Sequence, residues 1–221
     1  MSSFARFAVV AILTAPLSIA QQPRTPDLQG VYQSIPDRLT LAGGLKNAGS
    51  PAAISLLPEA AQQSRLVDLK KDPWKMCQPV GPFRMMAKEQ TKIELVPVDR
   101  MVVVLFEDLS HGMMRSIYLK RGHQAKPELT WHGDSTGRWE GDTLVIDTVG
   151  FNDRTWLNEE GAQHSDALHL VERIRPLQNG QYLEYKMTAE DPKALAKPYT
   201  YTRYFKKLDS EIVDDPCQDQ E

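Results

Sequence analysis

Several ionisable side chains in this chain occupy positions where an ordinary apolar core has no use for them. The run Thr143-Leu144-Val145-Ile146-Asp147-Thr148-Val149 is apolar on both faces of an extended strand except for Asp147. A carboxylate there must be paired or neutralised, because an unpaired buried charge is costly. A structural ion pair or a cap on a loop backbone explains it as readily as a site does. Arg115 stands likewise within Met113-Met114-Arg115-Ser116-Ile117-Tyr118. In a strand it shares one face with Ile117 and Leu119, while Ser116 and Tyr118 share the other. An inward arginine brings five donors and a permanent charge, suited to a substrate carboxylate or a developing oxyanion. The structural alternative is a pair with Asp147 or Glu172.

The five histidines are unevenly placed. His132 and Asp134 are two apart and point to one side if that segment is extended. His164 lies in the polar stretch Glu159-Glu160-Gly161-Ala162-Gln163-His164-Ser165-Asp166. His169 follows, with Val171 and Arg173 on its face and Glu172 on the other. Histidine titrates near neutral pH and suits general acid or base work. His132, Asp134, His164 and His169 together would offer mixed nitrogen and oxygen ligands to a metal, although their spacing matches no zinc motif. His111 and His123 fall in turn-like segments and read as solvated. No phosphate-cradling glycine loop and no GxSxG elbow occurs. Ser135 and Ser165 lie near histidines and acids, which alone says little about a hydrolytic triad. Trp74, Trp131, Trp139 and Trp156, with seven tyrosines, can line an aromatic pocket or simply fill a core.

The elements that position these residues are mostly strands. Ile93–Val96 and Met101–Phe106 are apolar and β-branched, separated by Pro97-Val98-Asp99, and Met113–Leu119 follows Ser110-His111-Gly112. Ser135–Trp139 and Thr143–Val149 flank Glu140-Gly141-Asp142, a strong hairpin signal. Leu168–Ile174 and Tyr182–Thr188 flank Asn179-Gly180, and Tyr199–Phe205 is the last strand. Eight sequential strands with short turns and no helical crossover predict an antiparallel meander. Closure removes its two edges, so the expected fold is mainly β: an eight-stranded, up-and-down, lipocalin-like (calycin-like) antiparallel barrel. A two-sheet sandwich is the alternative.

Pro58 and Glu59 can open a helix, Lys70 and Lys71 fit its last turn, and Asp72-Pro73 stops it, which predicts one helix over about 58–71. Residues 21–57 are rich in Pro, Gly, Ser and Ala and read as an extended N-terminal arm with one strand-like island, Leu28 to Ser34. Residues 58–221 then form a single barrel domain.

The chain opens with Arg6 and an apolar run from Phe7 to Ala20, with Ser18 and Ala20 as small residues before a cleavage point at Gln21. This predicts a signal peptide over 1–20 and a periplasmic or secreted product, with no membrane insertion after cleavage. The run is shorter than the roughly 20 apolar residues that span a bilayer. Residues 1–20 hold one Arg and no acid, so twenty-five basic side chains then face twenty-nine acidic ones, a net charge of −4. That balance argues against nucleic acid and anionic membrane surfaces as partners. In an oxidising compartment Cys77 and Cys217 are most simply a disulfide. The rival readings, a reactive thiol or two metal ligands, are weaker because neither cysteine stands in a CxxC or beside a histidine.

The run Gly137-Arg138-Trp139-Glu140-Gly141-Asp142-Thr143-Leu144-Val145-Ile146-Asp147-Thr148-Val149-Gly150-Phe151-Asn152-Asp153, continuing Arg154-Thr155-Trp156-Leu157, resembles a large group of exported bacterial proteins to which no reaction is assigned. His164-Ser165-Asp166-Ala167-Leu168-His169 and Glu172-Arg173 belong to the same likeness, which covers roughly residues 77–217. That group usually has Gly-His-Ser after the tryptophan, where this chain has Trp131-His132-Gly133-Asp134-Ser135, so Asp134 or His132 stands in for the histidine. Asp27-Leu28-Gln29-Gly30-Val31-Tyr32 also resembles the Gly-x-Trp opening of lipocalin-type barrels, with Tyr32 in place of Trp.

The expected function is acid–base chemistry on a small, partly apolar organic molecule, as a lyase, isomerase or hydrolase, at a mouth or in the cavity of the barrel. His169 is the candidate base, Asp134 or His132 the second proton-transfer group, Arg115 the anchor and Tyr118 a supporting donor. Asp147, Glu172, Trp131 and Trp139 would contact the substrate, and no cofactor is expected. The alternative is a non-catalytic, lipocalin-like carrier of a hydrophobic ligand in the same cavity. A third reading is an interaction protein with a filled barrel.

Overall fold

A computed structural model describes residues 25–36, 53–107 and 114–213. Nine strands close into one barrel in chain order: β1 (Gly30–Ser34), β2 (Lys92–Val98), β3 (Met101–Phe106), β4 (Met114–Tyr118), β5 (Asp134–Glu140), β6 (Thr143–Val149), β7 (His169–Leu177), β8 (Tyr182–Glu190) and β9 (Tyr199–Leu208). Side chains alternate across the wall, as in β3, where Val102, Val104 and Phe106 are buried and the residues between them are half-exposed.

The barrel corrects the expected one in two linked ways. The island at Leu28 to Ser34 is a barrel strand, pairing with β2 on one side and β9 on the other. That makes nine strands, and an odd ring cannot be antiparallel at every seam. The odd seam is β4–β5, which is parallel, with Ile117 opposite Ser135. All other seams are antiparallel. A parallel neighbour needs a connection that returns along the barrel, and residues 119–133 supply it. This strap is fixed at one end by the Leu119 amide on the Arg100 carbonyl (2.8 Å). At the other end the Thr130 amide donates to Gly150 O (3.1 Å) and Asn152 N donates to Thr130 O (2.8 Å).

The predicted helix is shorter than expected: α1 (Pro58–Leu66) ends before a single 3-10 turn at Leu69–Lys71. A second helix, α2 (Gly81–Ala87), was not anticipated, because Gly-Pro-Phe-Arg-Met-Met-Ala is too short to show a period. Its residues 81–86 are all buried, since it lies across one end of the barrel. There the Arg203 Nη2 donates to Ala87 O (2.6 Å), and the Tyr201 hydroxyl reaches Phe83 O (3.5 Å). Tight turns close the opposite end: β5–β6 turns at Gly141, φ +63°, a backbone that glycine adopts without strain.

The lumen is filled. Tyr32, Leu95, Phe106, Ile117, Leu144, Leu170, Tyr185, Met187 and Phe205 belong to one continuous core and are almost completely buried. Among the described residues these side chains occupy the lumen, the filled one of the two outcomes open to a barrel of this size.

Candidate functional site

The sequence-predicted residues divide between the two faces of the barrel wall. Arg115 and Glu172 point inward and form a forked ion pair: Nη1 to Oε1 at 2.9 Å and Nη2 to Oε2 at 2.5 Å. Arg115 Nη2 also donates to Thr148 Oγ1 (2.7 Å) and Nε to Ser135 Oγ (3.0 Å). The Tyr185 hydroxyl donates to Glu172 Oε1 (2.8 Å). All five residues are buried. Burial works to lower the Arg115 pKa, but the Glu172 carboxylate outweighs it and holds the guanidinium charged. Burial, then the Glu172 charge, push the Tyr185 phenol well above its usual range. With every guanidinium nitrogen engaged, Arg115 has no face to offer a substrate. The pair with Glu172 weighed at the outset is what forms, and Ser135 serves it rather than a triad.

His169, Asp147, Asp134 and Tyr118 point outward and meet a residue that sequence reasoning had set aside as solvated, His123. Asp147 divides its carboxylate between two histidines, Oδ1 to His123 Nε2 at 2.8 Å and Oδ2 to His169 Nε2 at 3.1 Å. His123 Nδ1 in turn faces Asp134 Oδ2 at 3.2 Å. Asp134 is forked by Arg121, at 2.5 Å and 3.2 Å, and accepts the Gln124 amide at 3.0 Å. The Arg121 guanidinium carbon stands 3.8 Å over the Tyr118 ring. Burial raises the Asp134 pKa, yet hydrogen bonds from Arg121, Gln124 N and His123 bring it down to about 2. For Asp147 burial again raises, and the bonds from His123 and His169 lower it further than that. This row of groups crosses β4 to β7, joined by the strap, on a wall that is partly exposed: His169 36% and Asp147 32% at the side chain.

The remaining candidates are scattered. Between His132 and Asp134 lies Gly133 with φ +67°, which breaks the alternation that would have put them on one side. His164 is buried; its Nδ1 donates to Ser165 O (2.9 Å), so its Nε2 accepts from Thr155 Oγ1 (2.5 Å). Burial lowers its pKa below the usual histidine value. Ser165 is bound to Asp191 through both its amide (2.6 Å) and its hydroxyl (2.8 Å). The four-residue metal set therefore does not assemble, and no group of three or more ligating side chains suited to a metal occurs among the described residues. Trp139 packs on the core, and Trp131 lies beside Arg154, 6.0 Å from its ring centre. Cys217 lies outside the described residues.

A further concavity lies elsewhere on the described residues. Where α2, α1, residues 53–56 and the 157–162 loop meet is a cavity of about 1140 Å³. Its apolar wall includes Ile54, Leu56, Trp74, Phe83, Met85, Leu157 and Tyr199. Arg84 also lines it, tied to Asp72 by two bonds of 2.6 and 2.8 Å. Lys88 Nζ lies 3.6 Å from the Trp74 ring centre. Exposed Arg65, Glu159 and Glu160 form part of the rim.

No protein-family model matches the chain, and no curated protein is significantly similar to it. Among the described residues no helix is long and apolar enough to cross a membrane.

Proposed function

We propose that the chain is an exported carrier of a small, partly apolar organic molecule, held in the cavity on α2. The observation that carries this reading is the cavity's size and lining. Ligand pockets run to roughly 300–1,000 Å³, mostly apolar with a few polar groups; this one is slightly larger, about 1140 Å³, with an aromatic and aliphatic wall and charges at its rim. The export pattern at residues 1–20 and a Cys77–Cys217 disulfide complete the proposal. Its test uses the anionic, apolar fluorophore 1-anilinonaphthalene-8-sulfonate on the full mature chain. Ala61→Trp places an indole in the cavity from α1 and should abolish saturable binding with an unchanged circular dichroism spectrum. Equal binding by both proteins would sink the idea.

A second reading retains acid–base catalysis, as a lyase, isomerase or hydrolase, on the outer wall. Asp147 holds the Nε2 of His169, and a carboxylate that orients an imidazole is a recurring arrangement in proton transfer. Here the His169→Ala variant should lose turnover of any substrate found by screening, whereas Ala61→Trp should not. Turnover that survives His169→Ala rules this reading out.

A further inference from the structure

We infer that the strap of residues 119–133 is a pH-operated clasp, closed on the barrel wall when the His123 ring carries both protons and loosened when it loses one. The inference concerns the strap itself and stands apart from either functional reading. Its basis is a count of donors. Each ring nitrogen of His123 faces a carboxylate oxygen, Nδ1 toward Asp134 on β5 and Nε2 toward Asp147 on β6. Carboxylates only accept, and a neutral imidazole has one N–H. Both contacts are hydrogen bonds only for the imidazolium; after loss of one proton, one becomes a lone pair facing a lone pair.

Charged and titratable groups face the ring from each element packed against it. From β5 and β6 come Asp134 and Asp147, whose carboxyls their hydrogen bonds hold below the usual carboxylate range. From β7 comes His169, which shares Asp147, with Glu190 of β8 opposite it in register. From β4 comes the Tyr118 ring, beneath Arg121 of the strap. Arg121 opposes a second cation, but its charge is taken up by Asp134 in a two-bond fork. The Thr136 hydroxyl, 3.4 Å from Nε2, is the only described donor a neutral Nε2 has nearby, and at that distance it makes a weak bond.

The strap's ends do not depend on this chemistry. Leu119 and Thr130 are held by backbone bonds to Arg100 and Gly150. Between them the polar bonds to the wall are Lys120 to Asp99 at the edge, then Arg121, His123 and the Gln124 amide to Asp134 and Asp147. Loosening is therefore confined to the middle of the strap, which is where the barrel's one parallel seam is bridged.

Backbone hydrogen–deuterium exchange on the full mature chain tests the clasp. At each pH the rates are divided by those of an unstructured peptide. The protection of the Gln124 amide should fall roughly tenfold from pH 5.5 to 8.5, the scale of one charged hydrogen bond. The amides of Leu119 and Thr130 should keep theirs. His123→Gln should show the low value at both pH values, and His123→Arg, always charged, should hold the high value at pH 8.5. Constant Gln124 protection in the parent chain overturns the inference. So does a pH dependence that persists in His123→Gln, or a His123→Arg chain that loosens like the parent.

Discussion

Arg115 and Glu172, 57 positions apart, close a two-bonded ion pair in the lumen of the barrel, each less than 4% exposed at the side chain. Taking two charges out of water is expensive, and such a pair is retained only when geometry and further hydrogen bonds compensate. Ser135, Thr148 and Tyr185 provide them here. Removing one partner strands the other, so Arg115→Met and Glu172→Leu should each cost about 3–5 kcal/mol. The double change Arg115→Met with Glu172→Leu should cost less than either alone. Its residual penalty is the Tyr185 hydroxyl, about 1–3 kcal/mol for a donor left unmet. Urea unfolding of the four proteins measures the cycle; strictly additive losses would show that the two charges do not interact.

Acid stability should be governed in part by Asp134. Its folded pKa of about 2 lies below the ordinary aspartate value near 3.9. A depressed carboxylate adds stability that is fully present above the unfolded value and is lost as pH falls through the folded one. The window is thus about pH 4 down to 2, and the loss is on the order of 2 kcal/mol. Asp134→Asn should lower stability at pH 6 and flatten the curve across that window. A variant as acid-sensitive as the parent would assign the loss to other groups.

What the sequence made legible, and what it did not, follows from the range of the forces involved. Strands β2 to β9 were each visible, as apolar, β-branched runs or as segments flanking turn residues, because alternation and turn chemistry are local. The face of Arg115 was visible for the same reason, and its pairing with Glu172 was one of two partners named. The parallel seam was not, since the polar stretch 119–133 looks like any loop until its two ends must be joined across the barrel's length. His123 was missed with it: nothing within its own segment shows that Asp134 and Asp147 will face its two nitrogens. The split of Arg115 from His169 and Asp147 was likewise hidden. Their inward or outward sense depends on strand register, and register is settled by the closed ring. The cavity on α2 needs four separate segments to meet, which no short pattern records.

Tyr32 stands in the lumen with no exposure, and among the described residues its hydroxyl has no hydrogen-bond partner. Burial, with the Asp27 charge second, pushes this phenol up to about 12. A buried donor without an acceptor costs stability, so Tyr32→Phe should be neutral or stabilising by about 1 kcal/mol. The aromatic ring that packs the core is kept. Thermal unfolding monitored at 222 nm decides it, and a loss of similar size would mean that the hydroxyl is satisfied in solution.

Cys77 lies in the turn after α1, where its amide donates to Trp74 O (3.2 Å) and its φ is +52°. A bond from here to Cys217 would close a loop of about 140 residues, and loop-closure entropy then contributes on the order of 4–5 kcal/mol. For a chain of this size that corresponds to a fall in Tm of roughly 10 °C on losing the bond. Cys77→Ser and Cys217→Ser should each produce that fall, and the double variant should fall no further, because one bond is lost in all three. Iodoacetamide should add no mass to the oxidised chain and two alkyl groups after reduction. Labelling of the untreated chain, or losses that add in the double variant, would leave the two cysteines as independent thiols.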